Sequence, residues 1–321
     1  MPVPAAFAGK TRLPVISAPM FLVSLPELVV ASCEAGVIGT FPALNHRTSE
    51  GFDAWLTEIE TRLEATRAAR VGTDLPPVAP YGVNLIVHRT NPRVEADLAI
   101  CVKHRVPLVI TSLGAVREVV DAVHSYGGVV FHDVTNVRHA DKAIAAGVDG
   151  LILVTAGAGG HAGTTSPFAL LPEIRQRFGG TICLAGCISD GRAVAAAIAL
   201  GADYAYMGTR FIATAEAAAA ADYKQMVVDS QSADILYTDA ISGIPASFLK
   251  PSLRRAGVDV DHLPKDKEID LGKELDPDAK AWKDVWSAGQ GVAAIHDVPT
   301  VADLIDRLDA EMQAARNDLR V

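Results

Sequence analysis

Short apolar, β-branched runs alternate with longer stretches whose apolar positions recur at helical spacing, and this alternation persists to about residue 230. The runs predict strands at Val15–Met20, Ile38–Leu44, Tyr81–Val87, Leu108–Leu113, Val129–Val134, Gly150–Thr155, Thr181–Gly186 and Tyr204–Thr209. The stretches between them predict helices at Leu25–Ala35, Glu50–Arg67, Arg93–Lys103, Ala115–Tyr126, Val137–Ala146, Phe168–Phe178, Gly191–Leu200 and Ala215–Asp229. In the fourth helix, Val116, Val119, Val120 and Val123 share one face. Gly36, Gly127, Gly147, Gly179 and Gly201 follow several of these stretches, where a helix end calls for a left-handed residue.

Eight strand–helix units with nearly continuous apolar strands imply burial on both strand faces, the signature of a closed parallel barrel. An open doubly wound sheet is disfavoured, because no Gly-x-Gly-x-x-Gly follows the first strand. After Ser230 the rhythm breaks, and Asp234–Pro277 is rich in charge and proline. The expected organisation is an α/β chain: a (β/α)8 TIM barrel over 1–230 with a mainly helical C-terminal extension. That extension comprises a helical excursion or lid over the barrel mouth at 231–290 and a C-terminal helix packing back on the barrel at 291–321.

A formal net charge of −9 without a basic cluster argues against nucleic acid or an anionic membrane surface as partner. No run approaches the ~18 apolar residues of a membrane span, and Met1–Pro14 lacks the apolar core of a secretory signal, so a cytoplasmic location is expected. The four cysteines do not make a disulfide framework for a domain of this size. Cys183 and Cys187 lack the second pair that a structural zinc needs, and no metal is expected. Cys33 and Cys101 fall on helix faces as small buried hydrophobes. Cys187, at a strand end beside a glycine, either lines a ligand site or fills space.

Barrels bind ligands at the carboxyl ends of their strands. After the sixth strand comes Ala156-Gly157-Ala158-Gly159-Gly160-His161-Ala162-Gly163, where missing side chains let the backbone approach a flat ligand. His46, His88, His132 and His161 all lie at or just beyond strand ends, but only His161 sits in such a loop. The seventh and eighth strands end in Gly186-Cys187 and Gly208-Thr209. Loops at this pair of positions often cradle phosphate with backbone N–H groups and a helix N-terminus, although each alone is also an ordinary tight turn. The first strand ends at Ala18-Pro19-Met20. The third carries Asn84, a polar group that either a ligand edge or neighbouring backbone would satisfy.

Ala18-Pro19-Met20, Gly82-Val83-Asn84, Ala158-Gly159-Gly160-His161-Ala162-Gly163, the Gly186 loop, Met207-Gly208-Thr209-Arg210-Phe211 and Trp286-Ser287-Ala288-Gly289-Gln290 together resemble the nitronate monooxygenases, from about Pro14 to about Gly291. The resemblance implies a TIM barrel holding FMN non-covalently. Ala18, Pro19, Met20 and Asn84 would face the flavin ring or ribityl chain, Gly159 and Gly160 would flank the ring, and Gly186, Cys187, Gly208 and Thr209 would hold the phosphate. His161 would be the catalytic base, with His132 and Gln290 as substrate or lid candidates. The implied partners are a small-molecule nitronate or nitroalkane and O2, with a homodimer left open.

Two departures stand out. Relatives often carry Ser-Gly-Gly where this chain has Ala185-Gly186-Cys187, and some place a lysine beside the fifth-strand histidine where this chain has Asp133. A carboxylate reaching the flavin would disfavour an anionic reduced ring. The alternatives are an NAD(P)H-dependent flavin reductase of the quinone or enoyl-acyl-carrier-protein type on the same barrel, a binding protein without catalysis, and a sugar-phosphate isomerase or aldolase. The aldolase lacks the strand-end lysine its chemistry needs.

Overall fold

A computed structural model describes residues 4, 7–88, 90–114, 117–241, 243–263 and 285–318. Eight parallel strands close into a barrel: β1 (Val15–Ser17), β2 (Ile38–Pro42), β3 (Tyr81–Ile86), β4 (Leu108–Ser112), β5 (Val129–Val134), β6 (Gly150–Val154), β8 (Thr181–Ala185) and β9 (Tyr204–Met207), with β1 pairing β9 to complete the ring. The remaining strands, β7 (Gly160–His161), β10 (Ile235–Thr238) and β11 (Ala246–Leu249), form a separate antiparallel sheet in the order β10-β11-β7. The barrel is the (β/α)8 architecture that the alternating pattern predicts.

Side chains alternate across each barrel strand and so build two cores. Ile16, Ile38, Ile110, Phe131, Ile152 and Tyr206 fill the barrel interior, where Phe7 packs edge-on against Phe131 with ring centroids 6.1 Å apart. Val83, Val109, Val130, Val134, Leu151 and Leu153 face outward to the helices. Local signals set the helix ends. Thr48 caps Ser49–Ala69 by accepting from the Gly51 amide, Asn136 caps Val137–Ala146 through His139, and Gly147 closes that helix in the left-handed region at φ +90°.

Two stretches differ from the sequence expectation. The alanine-rich run from Ala215 becomes helical only at Ala221–Asp229; Ala218 N–H, which a helix begun at Ala215 would turn back to residue 214, donates to the Val23 carbonyl instead, and Ala215 N–H donates to Pro299. Ile235–Thr238 and Ala246–Leu249, expected within a helical excursion, form β10 and β11. Ile-Leu-Tyr-Thr is rich in strand-favouring types, Ala-Ser-Phe-Leu is drawn into the sheet by pairing on both sides with it and with β7, and Gly243 supplies a left-handed turn residue at φ +77° between them. A short helix, Lys250–Arg255, follows. The parts of the expected excursion at 242 and 264–284, of the expected C-terminal helix segment at 319–321, and of the Ala115–Tyr126 helix at 115–116 lie outside the described residues. The helix Val301–Asp318 packs on Gly191–Leu200 and Pro26–Glu34, and Arg12 pairs with Asp306 and Asp309 along it.

Among the described residues no helix is long and apolar enough to cross a membrane, and no group of three His, Cys, Asp or Glu is placed to hold a metal.

Candidate active site

The carboxyl ends of the barrel strands open into a cavity of about 1070 Å³. Ala18, Pro19 and Met20 after β1, Asn84 on β3, Gly159, Gly160 and His161 after β6, Gly186 and Cys187 after β8, and Gly208 and Thr209 after β9 all line it. Gln290 is not among the lining residues, although Gly289 and Gly291 are. Of the four strand-end histidines, His132 and His161 reach the cavity, whereas His46 packs edge-on against Trp55 and His88 bonds Thr90.

The glycine loop after β6 is closed at its base by Gly163 N–H to Val154 and Ala156 N–H to Thr165, at 3.0 and 2.9 Å. Gly157 and Gly160 take left-handed φ values of +83° and +65°. The far side of the loop is tied to the C-terminal extension. Gly160 N–H donates to Ser287 Oγ at 2.8 Å, Ser287 Oγ–H donates to the Ser247 carbonyl at 2.6 Å, and His161 pairs with Ala246 across β7 and β11. Tyr237 donates to the Ala162 carbonyl at 2.8 Å. His161 therefore sits on a short, doubly anchored strand with its surface turned to the cavity. Surrounding protein desolvates the imidazolium and lowers the His161 pKa below the ordinary value, which favours the neutral ring with a lone pair free to accept a proton.

Segment 289–291 laces the loops together. Gly289 N–H donates to Thr209 Oγ1 at 2.9 Å and Gln290 N–H to the Gly157 carbonyl at 2.8 Å. Thr209 Oγ1 accepts here, so its own proton remains available to a ligand. Several glycines exist for this packing. A Cβ on Gly159 would lie 2.9 Å from the Gly289 nitrogen, one on Gly289 2.6 Å from the Gly157 oxygen, and one on Gly186, already at φ +131°, 2.5 Å from Thr155 Oγ1. Gly208 is different. A Cβ there would meet only Met20 Sδ at 3.6 Å and Ala18 Cβ at 3.7 Å, so the protein itself tolerates a side chain that the cavity would have to receive.

The helix N-terminus expected to help cradle a phosphate after β8 is already engaged. Asp190 accepts from Ala193 N–H and Glu311 from Gly191 N–H, each at 2.7 Å. Glu311 comes from the C-terminal helix, which no local pattern places there. Arg210, within the same motif, is buried and bonds the Ala213 and Asp297 carbonyls, a packing role.

Opposite, three inward-facing side chains form a chain across β3, β4 and β5. Asn84 Nδ2 donates to Ser112 Oγ at 2.7 Å, and Ser112 Oγ–H donates to Asp133 Oδ2 at 2.6 Å. Burial pushes the Asp133 carboxyl up to about 6, against the opposing Ser112 hydrogen bond. Asn84 is thus satisfied by strand neighbours, with a further bond to the Ile110 carbonyl at 3.3 Å, and also borders the cavity. His132 occupies the outward register of β5 beside Thr111, 2.7 Å away, and burial lowers its pKa to about 4. Cys187 is exposed, with a left-handed φ of +55° and a thiol whose pKa burial raises.

Ser112, Tyr223 and Tyr237 border the cavity without having been singled out in the sequence, and Ser287 was named there only within the Trp286–Gln290 motif. For Ser112 the signal was present, since it falls at the strand end in the register of Ile110 and faces inward. The others come from segments whose placement only the folded chain sets.

The sequence profile of the family described as "Nitronate monooxygenase" matches residues 6–311. A nitronate monooxygenase of Paraburkholderia phytofirmans is 27% identical, with 96% of this chain and 94% of that protein covered. Among solved structures, a nitroalkane oxidase from Streptomyces ansochromogenes superposes with TM-score 0.78 at 27% identity, covering 98% of this chain and 100% of that one. FabK from Thermotoga maritima gives TM-score 0.78 at 24% identity, covering 97% and 96%, a likeness of fold alone.

Proposed function

The chain belongs to the nitronate monooxygenase family, in which flavin dependence is general, and we propose that it is an FMN-dependent oxidoreductase converting alkyl nitronates, and nitroalkanes by way of them, with O2 to carbonyl compounds and nitrite. The observation that carries this reading is the meeting of His161 with the glycine loops after β6, β8 and β9 in one cavity at the barrel mouth.

The residues present fit FMN. The cavity, at about 1070 Å³, lies just above the ~300–1,000 Å³ common for small-molecule sites, with room for a flavin and a small substrate. Gly208 leaves space that no protein packing requires, and Thr209 keeps a proton to donate. Ala18, Pro19 and Met20 offer an apolar surface to a flat ring, and Gly159 and Gly160 allow close approach to it. Gly186, Gly208, Cys187 and Thr209 would hold the phosphate. FMN, when bound, supplies the electron acceptor and the partner for O2. The protein binds, orients and excludes water, and His161 removes the proton from the carbon bearing the nitro group of a neutral nitroalkane. For a substrate already ionised to its nitronate, His161 orients the anion.

The experiment starts from the visible spectrum of the protein with FMN. Anaerobic mixing with a nitronate, and separately with NADH, is then followed by nitrite release in air. Flavin bleaching by nitronate with stoichiometric nitrite supports the reading. Rapid bleaching by NADH with no response to nitronate would replace it with a reductase, and a protein that takes up no FMN would remove it.

A further inference from the structure

The polar chain on the inner faces of β3, β4 and β5 has a direction. Asn84 spends its N–H groups on Ile110 O and Ser112 Oγ, so the edge it has left for the cavity is its carbonyl oxygen, an acceptor. Ser112 spends its single proton on Asp133 Oδ2. At the end of the chain Asp133 Oδ1 is buried and has no hydrogen-bond partner, although Asp133 borders the cavity. An orphaned carboxylate oxygen is costly to bury, and a site that retains one has a use for it.

No cation compensates Asp133 among the described residues. From β8 and β9 it faces Cys183 and Tyr206, both held neutral by burial, and from β4 it faces Ser112. His132 borders the cavity from the outward register of β5, where its ring bonds Thr111, and the cationic groups of the next helix, Arg138 and Lys142, act on His139, with neither acting on Asp133. Covering this carboxyl with an apolar ring would remove the remaining solvent and favour its protonated form further.

The geometry points to Asn84, Ser112 and Asp133 working as one recognition unit, in which Asp133 takes up a proton when a flat ligand binds and donates it to a ligand carbonyl or ring nitrogen, while the Asn84 oxygen accepts from the neighbouring ligand N–H. An acceptor beside a donor complements an imide edge, the –CO–NH–CO– group of a flavin's pyrimidine ring. Two acceptors would not, because an ionised carboxylate would face a carbonyl oxygen. This inference rests on the flavin reading above and specifies how the chain discriminates that ring. The proton comes from solvent and no other bond is made or broken.

The test is calorimetric titration of the apoprotein with FMN, and with riboflavin to remove the phosphate's own ionisation, at about pH 7 in two buffers of different ionisation enthalpy. The wild type is expected to take up the larger part of one proton per ligand beyond Asp133→Asn, which keeps a donor but cannot titrate. Its affinity for riboflavin is expected to fall by up to about tenfold per pH unit above neutrality, with a flat profile in the variant. A carboxyl carbonyl stretch that appears in the infrared difference spectrum of wild-type protein labelled with 13C-aspartate, on binding FMN, tests the same point should the variant not fold. Equal proton stoichiometry in the two proteins, or an infrared spectrum showing only ionised aspartates in the complex, overturns the role of Asp133 and leaves FMN binding intact. Failure of the wild type to bind either ligand overturns it together with the flavin reading.

Discussion

The backbone amide of Gly289 donates to the hydroxyl of Thr209 at 2.9 Å across 80 positions of the chain, so the C-terminal extension is fastened directly to the loop after β9. The same hydroxyl is the polar side chain best placed in that loop to donate to a phosphate. Thr209→Val would remove both interactions. It is expected to weaken FMN about 10- to 100-fold, in line with losing a hydrogen bond to a charged group, whereas Thr209→Ser restores most of the affinity. Fluorescence titration of the apoproteins reads the difference, and equal affinity in all three would remove Thr209 from the cradle.

Gly208 and Gly186 separate ligand contact from folding. Gly208→Ala meets only ordinary contacts within the protein, so stability should stay within ~1 kcal/mol of wild type while FMN affinity falls at least about tenfold. Gly186→Ala combines a left-handed φ with a contact to Thr155, and should lose ~1–3 kcal/mol of stability before any ligand is added. Denaturant melts of the apoproteins with parallel FMN titrations check both. An unaltered affinity in Gly208→Ala would place the phosphate elsewhere.

His161→Ala is expected to retain FMN yet lose about 10²–10⁴ in kcat/KM on neutral nitroalkanes, the usual worth of a general base, with a much smaller loss on preformed nitronates. The base must be neutral to act. Because burial lowers its pKa, kcat/KM for nitroalkanes in the wild type should rise with pH and level off below the ordinary histidine value of about 6.5. Similar losses on both substrates would show that His161 does not abstract the proton.

Cys187 is the exposed thiol, while Cys33, Cys101 and Cys183 are buried. A chromogenic thiol reagent should titrate one group in the native apoprotein and all four after denaturation. Its rate should climb with pH to above the ordinary thiol range, since the protein around the sulfur partly desolvates the thiolate and raises this pKa, and only the thiolate reacts. Bound FMN should protect it. Full reactivity in the complex would put Cys187 outside the phosphate contact.

Asp133 carries a pH signature in stability as well. Its pKa is about 6 in the folded chain against ~3.9 unfolded, so the folded state holds this proton more tightly. The fold is favoured while Asp133 is protonated, and on the order of 2 kcal/mol is lost as pH rises from about 4 through 6. Asp133→Asn should flatten that part of the profile in the apoprotein. Urea melts across this range measure it, and parallel curves for the two proteins would show an unperturbed carboxyl.

The sequence alone determined the barrel, because strand burial on both faces and helical amphipathicity are local periodicities that survive in one dimension. It also brought out the loops after β1, β6, β8 and β9, since glycine and proline at strand ends constrain backbone wherever they occur, and it singled out Asn84 within the third strand and His161 among the strand-end histidines. Tertiary structure alone decided what those glycines are for. Gly159, Gly186 and Gly289 make room for other loops of the chain, and Gly208 leaves room that no neighbour fills. It decided that the helix after β8 spends its N-terminus on Asp190 and Glu311, that Ala215 and Ala218 give their amides to distant carbonyls, and that Ala246 and Ser247 of β11 pair with the His161 strand. It also joined Asn84, Ser112 and Asp133, which lie on three strands more than 20 positions apart along the chain. Periodicity encodes which face of an element is buried. Which partner meets that face is set by barrel closure and by the extension folding back, and that information exists only once the chain has closed on itself.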